Sequence, residues 1–313
     1  MGDAIKILAI DIGGTHLRAV AIDEAGTILH RAVVSAEPLR DGDPIAVLTD
    51  IIRRAGDTVG DVLAGAVIGA PSILNSSRRG IVRSPNLPAL EGDRIADALE
   101  AACGIPVILD HDATLQTRGE AERGSAAGRD LVLGVYFGTG VGGAFIDHGR
   151  LMGGIYRMQL GHVPLRGDGR VGTGGGVDCV EAYASGAALQ ALATEHGVPV
   201  ATLFSQPSAG VLAAALKTFV RDQALTVALA MTLTDPEIVV IGGGITEMTG
   251  YPFDDLVRQA NDCLSPVLGR GTRPIVRAML GPAAASWGAL HLIRDARDRR
   301  QTAPSAPLLS PTH

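Results

Sequence analysis

The sequence predicts an α/β protein built from two related halves that face each other. Three observations carry this. Apolar strands alternate with helix-period segments along the chain. An apolar strand runs into a glycine-rich turn at "AIDIGGTHLRAV", again at "VYFGTGVGGAFI", and once more at "IVVIGGGIT". The first two turns lead directly into another strand, a β-turn-β unit unlike the strand–turn–helix context of the dinucleotide fingerprint.

The elements follow in order. "IKILAIDIGG" reads as a buried strand ending in a glycine turn, and "LRAVAIDEAGTILHRAVV" as two strands around Glu24-Ala25-Gly26. In "DPIAVLTDIIRRAGD" the spacing of Ile45, Leu48, Ile51 and Ile52 predicts a helix, capped by Asp43 with Pro44 in its first turn. "LAGAVIGAP" is a strand stopped by Pro71, "GDRIADALEAAC" a helix, and "GIPVILDHDA" a strand with polar residues at its carboxyl end. A second cycle repeats the plan: strand, glycine turn and return strand in "DLVLGVYFGTGVGGAFIDHGRL"; helix in "DCVEAYASGAALQALATEHG"; a long buried helix in "VLAAALKTFVRDQALTVALAMTLTD". "PEIVVIGGGIT" is another strand running into glycines, and "PAAASWGALHLIRDARD" closes with a helix. The Pro/Ser-rich residues 301–313 offer nothing to pack, which predicts a disordered tail.

Composition narrows the function. Hydrophobic residues make up 46% of the 313-residue chain but aromatics only 3%, so the cores are filled by Val, Leu, Ile and Ala, as in sheets covered on both faces. A net charge of −6 without a basic run gives no nucleic-acid footprint. No stretch approaches the roughly 20 apolar residues of a membrane span, and the first apolar run is too short for a signal segment. Three scattered cysteines, Cys103, Cys179 and Cys263, argue against a disulfide framework. A soluble cytoplasmic protein is the expectation.

The glycine turns carry chemistry as well as shape. Gly13, Gly14 and Thr15 after Asp11, then Gly138, Thr139 and Gly140, can present backbone N–H groups to phosphate oxygens. A carboxylate beside a phosphate is unfavourable unless a divalent cation lies between them, so Asp11 points to Mg²⁺ held through water. Gly242, Gly243 and Gly244 can lie under a nucleotide base or ribose. Any one turn alone is equally well explained as a tight hairpin; three at strand ends, one with Asp and Thr, favour an ATP site in a cleft.

These residues resemble the ROK family (repressors, open reading frames, kinases) of the actin-like/hexokinase-like ATPase superfamily. The motifs are "DIGGTHLR", "SPNLP", "LDHDATLQTRGE", "YFGTGVGG", "QLGH" followed by "CVEAYASGAAL", and "VIGGG", in that order over nearly the whole chain. The resemblance implies an α/β, two-domain actin-like/ribonuclease H-like ATPase fold with a cleft between the domains. It divides the chain into a smaller domain, 1–115, joined by the helix 284–300, and a larger one, 116–283. It also implies ATP-dependent phosphorylation of a hexose or hexose derivative at a primary hydroxyl, the 6-hydroxyl, and a homodimer through the C-terminal half. Family members with a DNA-binding module carry it ahead of the first glycine turn, where Asp11 leaves no room; this implies the kinase branch. "SPNLP", "GHVPL" and the "LQ" after Asp112 resemble the D-allose kinases within it.

By the same resemblance Asp112 is the general base, although an Asp there also suits a cap for a helix beginning near Thr114. Asn86, His111, Gln159, His162 and Glu181 are the implied sugar ligands. His111 stands where most members have Asn, and Gln159 where they have Glu, which implies a changed hydroxyl pairing or impaired activity. Many members follow the "GH" histidine with three cysteines that hold zinc. Here Gly172 and Gly174 take the places of two of them, leaving His162 and Cys179, too few for a four-coordinate site; no structural zinc is expected. Asp168 or Asp178 can supply a ligand, but the spacing does not require either. With the metal gone, packing of "VPL" and the next helix, or closure around the sugar, has to hold Glu181 and His162 in register. Alternatives to allose or glucose are N-acetylmannosamine and fructose. The competing class is a sugar-binding or sensing protein of the same fold without turnover; a nicotinamide dehydrogenase lacks the spaced fingerprint.

Overall fold

The first strand, β1 (Ile7–Ile12), buries both its faces: Leu8, Ile10 and Ile12 enter one core, Ile7 and Ala9 another. That is the behaviour of a strand inside a sheet covered on two sides. The computed structural model describes residues 5–85, 87–154, 156–205, 210–269 and 271–302, with residues 268 and 299–302 described by backbone alone. β2 (His16–Ile22) returns antiparallel to β1, and β3 (Ile28–Ser35) antiparallel to β2. After α1 (Pro38–Asp41) and α2 (Pro44–Val59), β4 (Gly65–Gly69) runs parallel to β1. The short hairpin β5 (Ile73–Leu74) and β6 (Ile81–Arg83), then α3 (Ile95–Cys103), lead to β7 (Val107–Asp110), parallel to β4. The sheet order is β3-β2-β1-β4-β7.

Through α4 (Asp112–Arg123) the chain enters a second sheet with the same plan. β8 (Leu131–Phe137) pairs antiparallel with β9 (Val141–Asp147), which pairs with β10 (Arg150–Leu151). After α5 (Val180–Ala184), α6 (Gly186–Glu195) and α7 (Gly210–Thr234), β11 (Ile238–Gly242) lies parallel to β8. α8 (Phe253–Cys263) precedes β12 (Ile275–Arg277), parallel to β11, giving the order β10-β9-β8-β11-β12. Each sheet is thus a three-stranded antiparallel meander continued by two parallel strands, the two-half architecture expected from the repeated turns.

The last helix, α9 (Ala283–Thr302), returns to the first sheet, where Ala289, Leu290 and Ile293 pack with Ile7, Ala9 and Val67. It crosses α4 at near backbone contact: a Cβ on Gly119 would meet the Ala284 carbonyl oxygen at 2.0 Å, and one on Gly288 the Leu115 carbonyl oxygen at 2.1 Å. Leu115 of α4 joins the core under the first sheet, while Ala121 packs against the core that holds Val132 and Val240 of the second. One helix therefore serves both sheets. The 115/116 division falls inside it.

The expected α2 forms as read: the Asp43 carboxylate accepts from the N–H groups of Ile45 and Ala46, and Gly60 closes the helix at φ 65°. Other elements differ from expectation. The helix after Cys179 is two helices, because Ser185 turns extended (ψ 170°) and its hydroxyl caps the second by accepting from Ala188 N–H. α4 begins at Asp112, with His111 as its N-cap, so no cap forms near Thr114. α7 is buried through its middle, where no residue from Phe219 to Met231 is exposed, and only its ends reach the surface, at Val211 and Leu233. α9 continues through residue 302; the rest of the expected tail lies outside the described residues, as do Met1 to residue 4. Among the described residues, no helix is long and apolar enough to cross a membrane.

Candidate active site

The first two glycine turns meet. Gly13 N–H donates to the His16 carbonyl (2.9 Å) and closes the first hairpin; a Cβ on Gly14 would stand 3.8 Å from Thr139 Oγ1 of the second. The second turn is wedged in place. Gly186 N–H, at the start of α6, donates to the Gly138 carbonyl at 2.7 Å. From the other side comes the third glycine loop: Gly243, at φ +95°, sits so tightly on β8 that a Cβ would meet the Phe137 carbonyl oxygen at 2.4 Å. Only glycine takes that position without strain. The Cβ directions of Gly138 and Gly244 meet nothing within 4 Å, so backbone is open to a ligand there.

Asp11 and Asp112 face this junction. Asp112 opens α4 where the two sheets converge: a Cβ on Gly69, at the end of β4, would lie 3.5 Å from Asp112 Cα, and one on Gly142 of β9 would lie 2.8 Å from Ala113 Cβ. Burial pushes the Asp112 carboxyl pKa up, and the N–H of Ala113, donating to Oδ1 at 2.7 Å, holds it back. Asp11 is pushed up to about 6, first by burial and then by the charge of Asp112, against the opposing pull of Arg18 at 3.6 Å. A carboxylate whose proton affinity is raised by burial and by the charge of a second carboxylate marks a candidate functional site. The Asp11 carboxylate beside these turns fits a hydrated cation, and the facing N–H turns fit phosphates.

Glu181 is brought to the second turn from 40 residues away. Its Oε1 accepts from Val141 N–H (3.3 Å), and its Oε2 from the Thr173 hydroxyl (3.0 Å). His162 lies nearby at the end of a short 3₁₀ turn, its ring against Gly174, where a Cβ would meet Cε1 at 2.8 Å. Gly172 likewise faces Cys179 Sγ at 2.9 Å. The glycines have let the loop collapse onto His162 and Cys179. Among the described residues no three His, Cys, Asp or Glu side chains are grouped to hold a metal.

Direct bonds supply the order of this loop. "VPL" pairs with the residues around Cys179: Leu165 N–H donates to the Asp178 carbonyl (2.7 Å), and Val180 N–H to the Val163 carbonyl (2.9 Å). The Asp178 carboxylate accepts from Gly169 N–H (2.7 Å), Arg170 N–H (3.1 Å) and the Tyr183 hydroxyl (2.5 Å), which occupies it as a clamp and keeps its pKa low. The Arg166 guanidinium lies over the Tyr183 ring (5.4 Å) and donates to the buried Asp222 of α7, Nε at 2.9 Å. Asp168, the other aspartate of the loop, lies beside Arg166 at 3.7 Å.

The remaining sugar-ligand candidates divide. His111 is buried beside Asp112; burial lowers its pKa, and its buried Nε2 has no partner among the described residues. Gln159 turns its amide onto its own turn, Nε2 donating to the Tyr156 carbonyl at 2.7 Å, which leaves its oxygen. Asn86 lies outside the described residues. The sequence reading passed over Thr173, Arg78 and Arg157. Arg78 and Arg157 are non-glycine residues at φ +56°, and no local pattern announces that. A cavity of about 600 Å³ lined by Arg129, Asp235 and Glu237 opens at the opposite, amino-terminal ends of β8 and β11, away from the glycine turns.

Residues 7–296 match the model of the ROK family. The chain belongs to the ROK family. This ROK protein is similar to the glucokinase of Thermotoga maritima, with 30% identity over 93% of this chain and 98% of the relative. Its fold matches the ROK hexokinase from Thermus thermophilus at a TM-score of 0.79, with 28% identity, covering 94% of this chain and all of that one. The ROK family glucokinase from Streptomyces griseus, solved in complex with glucose and AMPPNP, matches at 0.79 with 24% identity, covering 93% of this chain and 99% of that one.

Proposed function

We propose that this ROK protein, a sugar kinase, transfers the γ-phosphoryl group of ATP to a primary hydroxyl of a hexose, the 6-hydroxyl of allose or glucose, with Asp112 as general base. The observation that carries the reading is the placement of Asp112: it heads α4 between the ends of the two sheets, next to Asp11 and the paired glycine turns. The hydroxyl oxygen attacks the γ-phosphorus, its proton passes to the Asp112 carboxylate, and the bond to the β-phosphate oxygen breaks. A base with a raised pKa accepts that proton more readily. The N–H groups of the two turns would hold the phosphates, and Asp11 would hold Mg²⁺ through water, a cation that would offset phosphate charge. Glu181, His162, His111 and Asn86 pair with the sugar hydroxyls. The AMPPNP and glucose of the Streptomyces griseus structure support both ligands by likeness.

The lobes are 1–115 with α9, and 116–283, closing about α4; the homodimer and the cytoplasmic location are part of the same reading, from the family resemblance. The test is ADP release against a panel of allose, glucose, fructose and N-acetylmannosamine. Sugar-dependent turnover should fall on the order of 10²-fold or more in Asp112→Asn. Sugar binding without turnover in the native chain would establish a sensing protein instead.

A further inference from the structure

Beside the proposed base, two partly buried guanidinium groups share one buried carboxylate among the described residues. Arg78, from the turn between β5 and β6, donates through Nη2 to Asp110 Oδ1 (2.5 Å) and to the Leu109 carbonyl (3.3 Å) at the end of β7. Its other terminal nitrogen, Nη1, is buried and no described residue accepts from it. Arg157 comes from the other half of the chain, after β10. It lies close enough to Arg78 and Asp110 for each to act on its charge, and its Nε is also buried, with no partner among the described residues. Burial and the Arg78 charge both lower the Arg157 pKa. Asp110, 2% exposed, is the one carboxylate between them, and it also accepts from His111 N–H at 2.8 Å. His111, 7% exposed, completes the group with its unpartnered Nε2. A buried N–H donor left unpaired is destabilising, and more so when charged. Three such atoms, from three segments that meet at His111, the neighbour of Asp112 in the chain, describe a place for oxygen acceptors.

We infer that Arg78 and Arg157 form a subsite for an anionic oxygen group on the sugar, so that the preferred substrate carries a carboxylate or phosphate on a carbon other than the one phosphorylated. One buried carboxylate against two guanidinium groups leaves a net positive charge, which a neutral hexose does not match and a carboxylate or phosphate does. His111 Nε2 takes a hydroxyl next to the charged group. The transfer is unchanged: the free hydroxyl of the charged sugar attacks the γ-phosphorus, its proton goes to Asp112, and ADP leaves. The inference rests on the sugar-kinase reading for what happens to the ligand, and on the arginine pair for its charge.

Calorimetry on the full chain would compare matched sugars that all keep a primary hydroxyl: glucose with gluconate and with glucose 1-phosphate, and N-acetylglucosamine with N-acetylmuramate. At least one charged sugar should bind about tenfold tighter than its neutral counterpart, the scale of one charge-assisted contact. Arg157→Gln should bring that ratio close to one. Arg157→Lys should keep part of it, and Arg258→Gln, on the exposed face of α8, should keep all of it. Circular dichroism confirms that each variant folds. The gluconate and N-acetylmuramate arms against the glucose 1-phosphate arm tell carboxylate from phosphate. The inference is overturned if no charged sugar is preferred, or if the preference survives Arg157→Gln. Good turnover of neutral hexoses without any charge preference removes the subsite and leaves the kinase; charge preference in binding without ADP release from any sugar removes the kinase and leaves the subsite.

Discussion

The Glu181 carboxylate packs directly against Gly140, so closely that a Cβ there would approach its Oε1 to 2.1 Å. The second glycine turn and the proposed sugar ligand are thus one unit: the turn that presents N–H groups to phosphate also sets where Glu181 stands. A methyl group at residue 140 meets the far end of a flexible side chain rather than backbone, so Glu181 swings away at little structural cost. Gly140→Ala is expected to change stability by less than about 1 kcal/mol while raising the sugar KM about tenfold. Melting curves and steady-state kinetics check the two halves; a variant that loses stability and keeps its KM would show that Glu181 is not set by this contact.

Asp11 gives a signed pH effect. Its carboxyl has a folded pKa of about 6 against an unfolded value of 3.8, so between these values the folded state holds the extra proton. The contribution to stability is full below the unfolded value and is lost as pH rises through about 6. Measured without nucleotide or Mg²⁺, native protein should lose stability relative to Asp11→Asn between about pH 4 and 6. Carboxylates with lowered pKa, such as Asp97 and Asp178, work in the opposite sense but cancel in this comparison. A difference independent of pH would mean that Asp11 titrates normally.

The clamp at Asp178 predicts a loop effect with a catalytic readout. Tyr183→Phe removes one hydrogen bond, worth about 1 kcal/mol, and Asp178→Ala removes three acceptor contacts. Proteolysis between residues 166 and 176 should speed up in that order. The sugar KM should rise several-fold while kcat changes less. Metal analysis of the purified protein is expected to show no stoichiometric zinc; one equivalent would mean that a metal, and not this clamp, orders the loop.

Glu120 is a buried staple between α4 and the approach to α9. It is fully buried; Oε1 accepts from Met279 and Leu280 N–H (2.9 and 2.8 Å), and Oε2 from Ser125 N–H (2.8 Å). Glu120→Ala leaves three backbone donors without their acceptor and should cost about 3 kcal/mol in a urea melt. Glu120→Gln keeps an acceptor oxygen and should cost less. Equal losses for both would point to charge rather than to the hydrogen bonds.

Much of the fold is legible in the chain because the information is local. The unbroken apolar run Ile7, Leu8, Ala9 and Ile10 announces a strand buried on both faces, and Asp43-Pro44 announces where α2 begins. The recurrence of strand, glycine turn and strand announces two similar halves, and the ordered motifs name the family. The internal break at Ser185 and the start of α4 at Asp112 were not legible, since both are settled by hydrogen bonds and packing that helical periodicity does not record.

By itself, then, the sequence determined the α/β plan, the family and the residue types available for chemistry. Tertiary structure alone decided which of them meet. Glu181 reaches Val141 across 40 residues and Arg166 reaches Asp222 across 56. Arg78 and Arg157 come to Asp110 and His111 through left-handed backbone at both positions. Periodicity encodes which face of an element is buried; it carries no record of the path by which two distant turns arrive at one sheet edge.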